Sequence, residues 1–83
     1  MPTNLNNKAV VWSQPRCPWC DRAKMLLLSR GWAIEERVIG TNATKEEFLA
    51  ANPNARTVPQ VWLNGELVGG FEQLQKVFNS DNS

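Results

Sequence analysis

Eighty-three residues, 42% of them apolar, suffice for one small domain with a thin core and not for two. A net charge of +1 argues against nucleic acid or an anionic membrane as partner, and no apolar run approaches membrane-spanning length. The chain holds no histidine, which removes every mechanism that needs an imidazole base.

Residues 1–7 are polar and lack the charged-then-apolar pattern of a signal peptide, so a flexible tail and a cytoplasmic location are expected. Residues 8–13 read as a first strand. The unbroken run Val10-Val11-Trp12 predicts burial on both of its faces. Ser13 to Arg16 is a loop, and a helix is expected from Pro18 to about Arg30, with Gly31 as its cap. Cys20, Ala23 and Leu27 fall on one face of that helix, while Arg22, Lys24 and Arg30 read as solvated. Trp32 to Ile39 predicts a second strand. Thr44-Lys45-Glu46-Glu47 has the form of a capping box opening a short helix that ends at Asn52-Pro53-Asn54.

Thr57 to Leu63 reads as a third strand begun by a proline, and Asn64-Gly65 as a tight hairpin turn into a fourth strand, Glu66–Val68. Gly69-Gly70 ends it, and Phe71, Leu74 and Phe78 at i, i+3 and i+7 mark a last helix. Trp12, Trp32 and Trp62 read as core residues or core margin. The order β-α-β-α-β-β-α predicts an α/β domain over residues 8–79. It is a four-stranded mixed sheet flanked by three helices, with flexible tails at 1–7 and 80–83.

The chemistry-bearing stretch is Arg16-Cys17-Pro18-Trp19-Cys20-Asp21, which holds both cysteines of the chain at a strand-to-helix handover. Cys17 at a helix N-cap meets free backbone N–H groups and the positive end of the helix dipole, and both favour its thiolate. Arg16 adds a nearby positive charge. Cys20 lies one turn along, within disulfide reach, so one sulfur can attack and the other can resolve the mixed disulfide. The competing readings are a structural disulfide, half of a zinc site, or inert buried thiols. A zinc site within the chain lacks further cysteine or histidine ligands, and a disulfide closing so short a loop constrains the unfolded chain little.

Three motifs together, Cys17-Pro18-Trp19-Cys20, Thr57-Val58-Pro59 and Gly69-Gly70 followed by Leu74, resemble the dithiol glutaredoxins of the thioredoxin fold. Trp19 stands where that family usually has tyrosine. The resemblance spans roughly residues 8–78 and implies Cys17 and Cys20 as the catalytic dithiol. It implies a cis Pro59 facing them, and Val58 offering its backbone to glutathione as an added strand would. It further implies close ligand approach at Gly70, and N–H groups near Glu72 and Gln73 for the γ-glutamyl carboxylate. Each motif also has a plainer reading: Pro59 as the start of an edge strand, Gly70 as a bend, Arg56 as a solvated charge.

Two positions depart from the family pattern. Gln14 replaces a frequent lysine, leaving Arg16 or Arg56 to meet the glycine carboxylate beside Thr57, and Gln73 replaces a frequent aspartate. What the resemblance implies is a monomeric, glutathione-dependent thiol–disulfide oxidoreductase with no tightly bound cofactor and no metal. Its substrates would be disulfide or glutathionylated proteins, with ribonucleotide reductase a family-level candidate. Two rival expectations are reduction by thioredoxin reductase, suggested by Gln14 and Gln73, and iron–sulfur cluster carriage. Pro18 argues against the second. Trp19 is expected to form an apolar rim for docking proteins.

Overall fold

The computed structural model describes residues 7–81, which form β1 (Lys8–Ser13), α1 (Pro18–Ser29), β2 (Ala33–Val38), α2 (Lys45–Ala51), β3 (Gln60–Leu63), β4 (Glu66–Gly69) and α3 (Phe71–Asp81). Of the tails expected at 1–7 and 80–83, residues 1–6 and 82–83 lie outside the described residues. One sheet carries the fold in the order β2-β1-β3-β4, with β1 parallel to β2 and the other neighbours antiparallel. This is the mixed sheet of a thioredoxin-like fold.

Alternation along β1 decides how the layers form. Ala9 and Val11 face a cluster with Ala23 and Leu27 of α1, Val61 of β3, and Leu74 and Phe78 of α3. Trp12, one residue out of phase, faces the other side with Phe48 of α2, Ala43, and the partly buried Val10 and Trp62. The central strand is therefore covered on both faces, as its continuous apolar run predicts. Trp32 stacks near Phe78 with ring centroids 6.2 Å apart, at the margin of the first cluster.

Local signals set most of the boundaries. Thr44 Oγ1 accepts from Glu47 N–H at 3.0 Å while Glu47 Oε1 accepts from Thr44 N–H at 2.8 Å, a complete capping box. Asn64 (φ 50°) and Gly65 (φ 86°) both take the left-handed conformation that a two-residue hairpin turn of this twist requires. Lys8 clamps that turn, its N–H donating to Asn64 Oδ1 and its C=O accepting from Asn64 N–H.

Some elements differ from the sequence expectation. β3 begins at Gln60 rather than Thr57, because the backbone over Thr57–Pro59 leaves the ladder and Pro59 has no N–H to give it. β2 is one residue shorter at each end, and Ile39 makes only an isolated bridge with Ala43. α3 runs through Asp81, so residues 80 and 81 belong to a helix and not to a tail. Asn7 is likewise anchored, its C=O accepting from Ala33 N–H at 3.0 Å.

Asn52 does more than stop α2. Fully buried, it donates from Nδ2 to the Phe48 carbonyl at 2.9 Å and accepts from Trp62 Nε1 at 2.8 Å, tying the end of α2 to β3.

Candidate functional site

The site grows from the handover between β1 and α1. Pro15 and Arg16 turn the chain, and Arg16 does so at φ 60°, a conformation that non-glycine residues adopt at a cost. Cys17 follows in extended geometry as the N-cap of α1, with Pro18 in the first helical turn where its missing N–H loses nothing. The Cys20 N–H points at Cys17 Sγ, 3.1 Å away. The side chains of Cys17 and Cys20 are joined as a disulfide with their Cα atoms 5.2 Å apart.

The two sulfurs have unequal surroundings. Cys17 is half-buried and reachable, whereas Cys20 is 1% exposed beneath the helix. Opened by reduction, such a pair presents one sulfur at the surface over a helix N-terminus and holds a second behind it. That arrangement is suited to disulfide exchange.

Two grooves border this handover. The first, about 550 Å³, runs between Trp19, the Thr57–Pro59 turn and the start of α3 at Gly70 and Phe71. The second, about 480 Å³, lies between Gln14, Lys45, Arg56 and the same Thr57–Val58 backbone, with Phe48 in its wall. Thr57 and Val58 line both. The Val58–Pro59 peptide bond is cis, with Pro59 buried. Among the described residues, Val58 makes no backbone hydrogen bond, so its N–H and C=O are open to an extended ligand.

The structure thus brings Thr57, Val58, Pro59, Gly70, Glu72 and Gln73 to the first groove, and Gln14 and Arg56 to the second. Arg16 lines neither, so of the two arginines considered only Arg56 faces a groove. The backbone requirement for glycine falls on Gly69, at φ 121°, and not on Gly70. A Cβ at Gly70 meets the Pro59 carbonyl at an ordinary 3.6 Å and the end of the Gln73 side chain at 3.3 Å.

Gln73 is also committed differently from its expected role. Its Oε1 accepts from the Gly70 N–H at 3.0 Å, capping its own helix, while Leu74 N–H closes the first turn onto the Gly70 carbonyl. The N–H groups of Phe71, Glu72 and Gln73 lie in the opening turn, where no helical carbonyl can reach them. Trp19 is 53% exposed, 5.5 Å from the Phe71 ring, with the Arg22 guanidinium 4.7 Å over its face. It stands as an exposed apolar wall of the first groove. Lys45 was not singled out by any motif, and the only sequence signal for it is a cation in the first turn of a helix.

Behind α1 lies a polar cluster that the periodicity did not reveal. Lys24, read as solvated, donates to Glu36 of β2 at 2.7 Å, and the buried Ser13 hydroxyl donates to the same Oε2 at 2.7 Å. The hydrogen bond to Glu36 raises the Lys24 pKa against the opposing effect of burial. Burial pushes Glu36 up, but the bonds from Lys24 and Ser13 outweigh it and hold the carboxyl below its ordinary range. This cluster fixes α1, and with it the cysteine turn, over the end of β1.

A disulfide-forming cysteine pair at a strand-to-helix turn, whose neighbour Trp19 shares a groove with a cis-proline loop, defines a thiol–disulfide oxidoreductase of the thioredoxin fold. The glutaredoxin family model matches residues 9–68. Glutaredoxin 3 of Escherichia coli is 36% identical over 64 residues, covering 77% of each chain. A hybrid peroxiredoxin of Haemophilus influenzae is 38% identical over 68 residues, covering 82% of this chain and 28% of that longer protein. Among solved structures, glutaredoxin 1 of Francisella tularensis superposes with a TM-score of 0.76 at 25% identity, covering 89% of this chain and 94% of that one. The chain belongs to the glutaredoxin family.

Proposed function

We propose that this protein is a glutathione-dependent oxidoreductase that reduces protein disulfides and glutathione mixed disulfides through Cys17 and Cys20. One observation carries the reading. The two grooves meet at the unpaired backbone of Val58, so an extended tripeptide laid there as an added strand reaches both at once. Its γ-glutamyl end lies at the opening turn of α3 near Glu72 and Gln73, where free N–H groups and the helix dipole favour a carboxylate. Its cysteine faces Cys17 across Thr57, Val58 and Pro59, past Gly70. Its glycine carboxylate lies toward Gln14 and Arg56. Glutaredoxins draw on glutathione as reductant, in keeping with this pose.

Two routes follow from the unequal sulfurs. With a glutathionylated protein, Cys17 thiolate attacks the glutathione sulfur and the protein thiolate leaves. A second glutathione thiolate then attacks the Cys17 mixed disulfide, releasing oxidised glutathione and restoring Cys17. With a protein disulfide, Cys17 attacks one sulfur and the other leaves as thiolate. Cys20 then attacks Cys17, the second protein thiol departs, and the electron pair delivered leaves a Cys17–Cys20 disulfide that two glutathione molecules reduce. The reading places the protein in a reducing compartment such as the cytoplasm, acting as a monomer with no tightly bound cofactor.

Cys17→Ser is expected to abolish both activities. Cys20→Ser keeps deglutathionylation and loses protein-disulfide reduction. Turnover by Cys17→Ser would overturn the assignment. One alternative has an observation in its favour: Gln73 spends its side chain on Gly70, which weakens the γ-glutamyl contacts and suits reduction by thioredoxin reductase instead. Comparing glutathione plus its reductase with thioredoxin reductase as donor, on one disulfide substrate, separates the two.

A further inference from the structure

The loop that carries Cys17 is closed at its base by polar side chains that the thiol chemistry does not use. Ser13 is the last residue of β1, fully buried, and its hydroxyl donates to Glu36 Oε2 at 2.7 Å. Lys24 of α1 donates to the same oxygen at 2.7 Å, and its Nζ lies 3.5 Å from Asp21 Oδ1. Asp21 directly follows Cys20, and its N–H closes the first turn of α1 onto the Cys17 carbonyl. One carboxylate of β2 thus holds both the strand end before the loop and the helix turn after it.

Cys20 belongs to that turn. Lys24 is four residues on, on the same side of the helix, and its stem leans back toward the opening turn, as the contact with Asp21 shows. Cys20 is buried, with its own N–H 3.1 Å from Cys17 Sγ. To displace a substrate from Cys17, its sulfur has to approach along one line set by the placement of α1. In such an oriented step a misplacement on the order of 1 Å is costly. The first attack, by Cys17, has no such demand, because its target arrives from solvent.

We propose that Lys24, with Glu36 and Ser13, positions Cys20 and so governs the second step of the dithiol route but not the first. In that second step Cys20 yields its proton to solvent and its thiolate attacks Cys17 Sγ. The Cys17–Cys20 bond forms, and the substrate sulfur leaves as a thiolate with the electron pair of the broken bond. Lys24 supplies no group to this reaction and is a positioning residue. The proposal rests on the two routes of the preceding section and names the side chains that set them apart.

The test compares Lys24→Met, which removes the charge, Lys24→Arg, which keeps it, and Asn52→Ala, a control destabilised elsewhere. Each purified protein is equilibrated with reduced and oxidised dithiothreitol, and the Cys17–Cys20 disulfide is read by alkylation of free thiols and mass spectrometry. Lys24→Met is expected to shift this equilibrium about threefold toward the dithiol, the scale of one partly exposed ion pair. Its kcat on a protein disulfide falls by a similar factor, while reduction of a small glutathione mixed disulfide does not fall. Lys24→Arg restores both, and Asn52→Ala moves neither. An equilibrium unchanged in Lys24→Met, or moved as far by Asn52→Ala, overturns the proposal, as does an equal loss on both substrates. The dithiothreitol equilibrium involves neither glutathione nor a protein substrate. It therefore decides the role of Lys24 separately, whereas a wild type inactive on glutathione mixed disulfides overturns the glutathione reading.

Discussion

Replacing Asn52 by alanine is expected to destabilise the protein far more than its place at a helix end suggests. The side chain is 1% exposed and makes two hydrogen bonds, one to the Phe48 carbonyl and one from Trp62 Nε1. The Phe48 carbonyl keeps a second donor, the Asn52 backbone N–H at 2.9 Å, so losing the first bond costs about 1 kcal/mol. The partly buried Trp62 N–H has no such reserve, and leaving it unpaired costs a further ~1–2 kcal/mol. The sum, about 2–3 kcal/mol, is a large share of the roughly 4–12 kcal/mol that a chain of this length can hold. It corresponds to a fall in Tm of roughly 10–20 °C. Urea unfolding followed by circular dichroism measures it, with the exposed Asn54→Ala as control, expected to stay within about 0.5 kcal/mol. A loss in Asn52→Ala no larger than the control's would refute the reasoning, because the clasp between α2 and β3 would then carry no energy.

Other expectations follow from the same geometry. Trp19→Ala is expected to reduce turnover of protein substrates several-fold while small disulfides are reduced nearly as before. Equal losses on both would show that the indole serves the chemistry and not docking. Glu36, held below the ordinary carboxylate value, contributes stability that is complete above that value and lost as pH falls through its folded pKa. Lys24, raised, contributes stability complete below the ordinary lysine value and lost as pH rises through its folded pKa. Glu36→Gln is therefore expected to cost about 1 kcal/mol at neutral pH, with the gap from wild type narrowing as pH falls through the lowered folded pKa of Glu36. A gap independent of pH would contradict the ion pair. Gly70→Ala is expected to fold normally, since its neighbours leave room once the end of Gln73 shifts, and to raise the KM for glutathione substrates. An unchanged KM would remove Gly70 from the ligand path.

What the sequence made legible was local. The capping box at Thr44 and Glu47, the Asn64-Gly65 turn and the helix following Pro18 are each decided by residues within a few positions, and each forms as read. The placement of Cys17 at a helix N-cap, and of Val58, Pro59 and Gly70 along one groove, is legible because they sit in motifs whose spacing the fold preserves. The unread features depend on contacts between distant segments. Lys24 is solvated by periodicity alone, and only the arrival of Glu36, 12 residues on, draws it into a partly buried pair. Asn52 looks like a helix stop until Trp62 is seen to need a partner. Gln73 reads from its motif position as a ligand contact, and that its side-chain oxygen also accepts from the Gly70 N–H of its own helix is visible only in the structure. Arg16 at positive φ gives no compositional signal, since an arginine there is chosen against its backbone preference.

The central claim is that the two sulfurs are unequal: Cys17 half-buried and reachable at the helix opening, Cys20 held in reserve beneath it. Brief treatment of the reduced protein with limiting iodoacetamide at neutral pH, followed by peptide mass spectrometry, tests this directly. Alkylation is expected at Cys17 well ahead of Cys20. Equal labelling of the two, or labelling that begins at Cys20, would contradict the account.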